Sequence, residues 1–200
     1  QENQSELTVA IGYSAGQTNQ APTAVAVGSE AGQTNQGEWA VAVGRKAGLT
    51  GQSNSTVAIG HNAGQTNQQS DAVAVGVYSG ANGQGQSSVA IGNRAGLGDS
   101  TSQGQFAVAV GAFAGYNHQS EYSIALNASG NQLNPDNPGF YVDPIRNETA
   151  TGGNVAVYNT NTKEVVYTNV KIDDTGVTLA NGTLIADSTD AGLFIDSLNA

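Results

Sequence analysis

One period governs this chain. The tetrapeptide Val-Ala-Ile/Val-Gly starts at Val9, Val25, Val41, Val57, Val73, Val89 and Val108, and a degenerate copy, Ile-Ala-Leu-Asn, starts at Ile124. The copies are 16 residues apart five times in succession, then 19, then 16. A second mark, Ala-Gly, recurs at a fixed offset, as at Ala15-Gly16, Ala47-Gly48 and Ala63-Gly64. A third, Gln-Thr-Asn-Gln, occupies 17–20, 33–36 and 65–68 and relaxes elsewhere to Leu49-Thr50-Gly51-Gln52 and Ala81-Asn82-Gly83-Gln84. The long copy carries its three extra residues near Gly98-Asp99-Ser100, in a turn. Sixteen residues are too few for a helical hairpin or a propeller blade. They suit two short strands and two turns. Val and Ile favour the strands, and Gly with Asn and Ser favours the turns. The period predicts an all-β chain, a parallel β-roll or β-solenoid of 16-residue coils stacked about 4.8 Å apart. Eight such coils make a body roughly 35–40 Å long.

Strand alternation adds a partner. In Trp39-Ala40-Val41-Ala42-Val43, residues 39, 41 and 43 face one way and the alanines the other. Both faces are apolar, and a strand apolar on both faces is buried on both. One face fills the interior of the roll. The other, a flat ladder of Ala10, Ala26, Ala42, Ala58, Ala74, Ala90 and Ala109, is expected to meet copies of the chain around a threefold axis. The reverse assignment puts alanine inside a thin roll and Val/Ile against the partner. It too calls for self-association. The opposite strand, around Gln-Thr-Asn-Gln, is too polar to cover either ladder.

Composition narrows the classes. The net charge is −10 with six Lys plus Arg, which speaks against nucleic acid and anionic membrane surfaces as partners. No apolar run reaches the 18 residues of a spanning helix, so no membrane insertion is expected. Cysteine is absent, which removes disulfides and thiolate zinc sites. Methionine is absent too, and no basic-then-apolar leader opens the chain. The expectation is a processed product or a fragment, any export signal already removed.

The Val-Ala-Ile-Gly-x-x-Ala-Gly units of residues 7–130 resemble the head repeats of trimeric autotransporter adhesins. The resemblance implies a left-handed parallel β-roll, three of them packed around a threefold axis. The roll is expected to span 1–130. Residues 131–139, Asn-Gln-Leu-Asn-Pro-Asp-Asn-Pro-Gly, read as a boundary loop, and 140–200 as a small β-rich C-terminal module or stalk. In it, Val155–Tyr158 and Glu164–Tyr167 flank a short polar loop and predict a β-hairpin. Phe140-Tyr141-Val142-Asp143-Pro144-Ile145-Arg146-Asn147, followed by that hairpin, resembles a module of tail- and surface-fibre proteins of large DNA viruses and marine phages.

Chemistry-bearing motifs are sparse. His61 and His118 fall near turns of different coils, Asp173-Asp174 reads as a turn between strands, and no nucleophile-elbow, zincin or phosphate-loop pattern occurs. No enzyme activity, metal or cofactor is expected. Trp39, Phe106 and Tyr122 share one repeat position and read as caps of the interior row. Function on a regular scaffold belongs to positions that vary. These are the pairs after each strand's Gly and the neighbouring turns. Tyr13, Tyr78, Phe113, Tyr116, Arg45, Lys46 and Arg94 are therefore the candidate surface contacts. The reading is a non-catalytic structural and attachment protein, a homotrimeric fibre segment on a virion or cell surface, extracellular. Its partners would be itself, with end-to-end joining one option, and a host receptor or surface glycan. Alternatives are a self-assembling filament subunit or spacer, and an ice-binding solenoid built on the ladder Thr18, Thr34, Thr50 and Thr66. That ladder breaks at Asn82, Gly98 and Asn117.

Overall fold

The computed structural model describes residues 2–98, 102–145, 153–173, 176–178 and 184–187. The chain divides into two units, Gln1–Ile145 and Arg146–Ala200. The first is a parallel β-solenoid of about nine turns. Its longer sheet stacks Val9–Ile11, Val25–Val27, Val41–Val43, Val57–Ile59, Val73–Val75, Val89–Ile91, Val108–Val110, Ser123–Asn127 and Gly139–Asp143 in sequence order. Its shorter sheet stacks Glu2–Gln4, Thr18–Gln20, Thr34–Gln36, Thr50–Gln52, Thr66–Gln68 and Asn82–Gln84. Single parallel bridges, Gln84 to Gln103 and Gln103 to Gln119, carry this second sheet past the insertion. Register is equal throughout, Ala26 to Ala42 to Ala58 and Thr34 to Thr50 to Thr66, so each repeat position forms a straight column.

The interior is built from small residues and one amide. Four columns face inward: the mid-strand alanines, the Ala-Gly alanines, the last Gln of each Thr-Asn-Gln strand, and the Ala, Ser or Thr just before each Val. Ala26, Ala42, Ala58 and Ala74 are fully buried and pack on Ala31, Ala47 and Ala63. Beyond them Ala90 and Ala109 form a second cluster with Ala95 and Ala114, and Ala10 packs half-buried at the first coil. This corrects the outward placement of the alanine ladder. The Val/Ile columns are the ones that face out, because buried Gln amides and the Ala-Gly methyl groups already fill the space between the sheets and leave the mid-strand position room only for a methyl group. Close approach also explains the glycines at the corners. Gly44 has φ +126°, and a Cβ there would stand 2.7 Å from the Gly60 carbonyl oxygen of the next coil.

The Gln column replaces a hydrophobic core. Gln20, Gln36, Gln52, Gln68, Gln84, Gln103 and Gln119 are all buried. Gln68 Nε2 donates to Val57 O at 2.9 Å, to Ala72 O at 3.1 Å and to Gln84 Oε1 at 3.1 Å. The same pattern recurs at Gln20 and, to the opposing strand, at Gln103 and Gln119. These amides thus satisfy carbonyls where the chain enters the longer sheet, and bonds such as Gln20 to Gln36 and Gln68 to Gln84 link them along the axis.

The predicted boundary at 131–139 falls too early. Gly139–Asp143 pairs in register with Ser123–Asn127, so Phe140-Tyr141-Val142 is the ninth strand of the longer sheet. Its period-2 apolar pattern continues the outer columns of Ile124 and Leu126. The division lies at Ile145/Arg146. In the second unit Gly153–Tyr158 and Val165–Asp173 form the antiparallel hairpin expected from the turn sequence. Gly176–Thr178 and Leu184–Asp187 extend that sheet. Residues 188–200 lie outside the described residues.

Candidate functional site

Each coil has two corner turns, and both place a non-glycine residue in the left-handed region. After the strand these are Ser14, Glu30, Lys46, Asn62, Tyr78, Arg94 and Phe113, all with φ between 52° and 60°. Before the strand they include Thr23, Trp39, Ser55, Asp71, Phe106 and Tyr122. Gly or Asn would adopt this conformation at least cost. The corners hold it because inter-coil backbone bonds over-determine it, as in Lys46 N–H to Ser29 O at 2.9 Å and Asn62 N–H to Arg45 O at 3.0 Å. Side chains there are thrown outward. Trp39, Phe106 and Tyr122 are accordingly exposed and are not caps of the interior; Phe106 and Tyr122 stack with their ring centroids 5.4 Å apart.

Equal register turns the corner after the strand into a continuous ridge. Lys46 Nζ lies 3.6 Å from Glu30 Oε2. Arg45 Nη1 is 3.0 Å from His61 Nε2, and His61 meets Tyr78 edge-on at 5.3 Å between centroids. The Arg94 guanidinium carbon sits 5.9 Å from the ring centroids of both Tyr78 and Phe113. Phe113 packs on Tyr116 at 5.5 Å. All seven residues singled out from the sequence therefore share one edge of the roll. Tyr13, 79% exposed, opens it in the first coil at the position that Arg45 and His61 hold in later coils, and its carbonyl accepts from Glu30 N–H. The ridge offers cations and ring faces to a partner and holds no nucleophile–base pair.

The longer sheet presents a second surface. Its outward columns run Val9, Val25, Val41 and onward, and Ile11, Val27, Val43 and onward, through Leu126 and Val142. They are half-buried to exposed; Ile59, Ile91 and Ile124 each leave about two-fifths of their surface open. Nine strands at about 4.8 Å make this apolar face roughly 40 Å long.

The remaining candidates stay dispersed. His61 and His118 belong to different coils, Asp173 ends its strand and Asp174 lies outside the described residues. Among the described residues no three His, Cys, Asp or Glu side chains gather as a metal site, and no helix is long and apolar enough to cross a membrane. The Thr column is in register, but Thr18, Thr34 and Thr66 are half-buried and Thr66 donates its hydroxyl to Ala81 O. The outermost row of that sheet is Asn and Gly, with Asn19 donating to Asn35 Oδ1 at 3.0 Å. The depressions on the roll are shallow and polar, such as the one lined by Asn35, Gly51, Ser53 and Asn67. Comparison with protein-family models, curated proteins and solved structures returns no match.

Proposed function

We propose that the chain is a non-catalytic structural and attachment protein, a homotrimeric fibre segment carried outside the cell on a virion or cell surface. One observation carries this reading. The longer sheet exposes two unbroken apolar columns along the whole roll, Val, Ile and Leu closed by Phe140 in one of them. Monomeric proteins rarely leave a contiguous apolar patch of that size to water. Three copies around an axis parallel to the roll cover it. Attachment is assigned to the aromatic corners at Tyr78, Phe113 and Tyr116, which a trimer displays three times each. The contacted surface is a host receptor or glycan. Weak single contacts then gain about 10²–10⁴ in avidity where geometry permits simultaneous engagement.

Light scattering tests the assembly. The full chain is expected at three times its own mass. Val43→Lys with Ile59→Lys is expected to give single chains with an unchanged far-ultraviolet circular dichroism spectrum, since both side chains point out of the roll. A stable unmodified monomer at micromolar concentration overturns the reading. For attachment, binding of the trimer to cells or to a glycan array is compared with the Tyr78→Ser, Phe113→Ser, Tyr116→Ser variant. Loss is expected. Unchanged binding moves the contact elsewhere, and no binding by either protein reduces the function to that of a spacer.

A further inference from the structure

Charge on the roll is sorted by corner. Each strand of the longer sheet is entered through one corner and left through the other. The entry corner carries Glu6, Glu38, Asp71 and Glu121 and no base. The exit corner carries Arg45, Lys46 and Arg94, which are all the bases of residues 1–145. Of the acids there among the described residues, Glu30 is already paired with Lys46, and Asp143 ends the ninth strand, three strands beyond the last base. These corners are the two long edges of the apolar Val/Ile face. The face is therefore bounded by an acidic rim on one side and a basic rim on the other.

We infer that the face is covered by further copies of this chain in parallel, all coils running the same way, with the acidic entry rim of each chain against the basic exit rim of the next. The inference rests on the self-association proposed above and adds the charged seam that joins one copy to the next. Rotation about an axis along the roll brings unlike rims together, for two copies or for three. Rotation about an axis along the strands sets acid on acid and base on base, which is repulsive at close range. Levels agree as well. Glu38 and Arg45 flank the same strand, Val41–Val43, so without axial shift Glu38 of one chain stands level with Arg45 of its neighbour. Arg94 follows the strand next to that of Asp71, about 4.8 Å along the axis, within the reach of a long side chain. Apolar burial supplies the affinity, while the rims select orientation, as rim charges do.

The absence of native cysteine makes the seam directly testable. Three variants of the full chain are oxidised mildly and run on a non-reducing gel: Glu38→Cys, Arg45→Cys, and the two combined. Both positions of substitution are outward turns, so folding is checked only by circular dichroism. The combined variant is expected to form interchain disulfides, and neither single variant is. Cross-linking of a single variant overturns the parallel seam, because it places like rims together. An oligomer by light scattering with no cross-link in any variant overturns it too, while leaving the self-association intact. A monomer overturns both.

Discussion

Gln68→Ala is expected to destabilise the roll by about 3 kcal/mol or more, whereas Gln65→Ala, three residues earlier, costs under about 1 kcal/mol. Gln68 is fully buried, and its amide is the donor to Val57 O, Ala72 O and Gln84 Oε1 and the acceptor from Gln52 Nε2 at 3.3 Å. Truncation leaves those groups unpaired between two sheets, and each buried unpaired group costs roughly 1–3 kcal/mol. Gln65 lies on the outer side of the same strand's approach and is half-exposed. Thermal unfolding followed by circular dichroism reads the difference. A melting point lowered by roughly 6–12 °C is expected for Gln68→Ala, at about 2–4 °C per kcal/mol for a chain of this size. Equal, mild effects at both positions would contradict an interior held by amides.

Ala58→Leu is expected to be of similar severity for the opposite reason. Ala58 has no exposed surface and belongs to the packed cluster with Ala42, Ala63 and Ala74. Even a Cβ added at Gly64 would stand 3.2 Å from the Ala58 methyl group. A leucine there forces the two sheets apart. Overpacking of this kind typically costs 1–3 kcal/mol, and about the upper end is expected at a site enclosed by the Ala42, Ala63 and Ala74 methyl groups. The effect is on folding, not on association. It is expected to persist in the monomeric Val43→Lys, Ile59→Lys background, where melting is measured. Had alanine been the outward ladder, Ala58→Leu would alter the oligomer's mass and spare the monomer's melting temperature.

Much of the fold was legible because a period constrains more than a composition does. The 16-residue spacing gave the coil, the strand and the parallel stacking, and the three-residue insertion falls between Gly96 and Gln103, outside the inward columns. The inside–outside assignment was inverted. Alternation cannot decide it when both faces of a strand are apolar, as in Val41-Ala42-Val43. The deciding signal lay across the copies. Mid-strand Ala is kept in all eight copies from Ala10 to Ala125, while its flanks exchange Val, Ile and Leu. The last Gln of the third mark persists at 52 and 84, where its Asn neighbour has become Gly51 and Gly83. A position that tolerates neither a larger nor a differently polar side chain in every copy is one enclosed on all sides. The corner ridge was legible as a set of positions, but its chain of contacts from Arg45 to Tyr116 emerges only once register is fixed.

Because every coil touches only the coils above and below it, the body of this protein behaves as a ruler with one graduation. Tandem duplication or loss of a 16-residue unit by recombination lengthens or shortens it by about 4.8 Å and preserves each inward column. A change of any other size must be absorbed between the inward columns, as between Gly96 and Gln103 of the single long copy. Reach can therefore be retuned in whole steps by a genetic event that leaves the chemistry of every remaining step as it was.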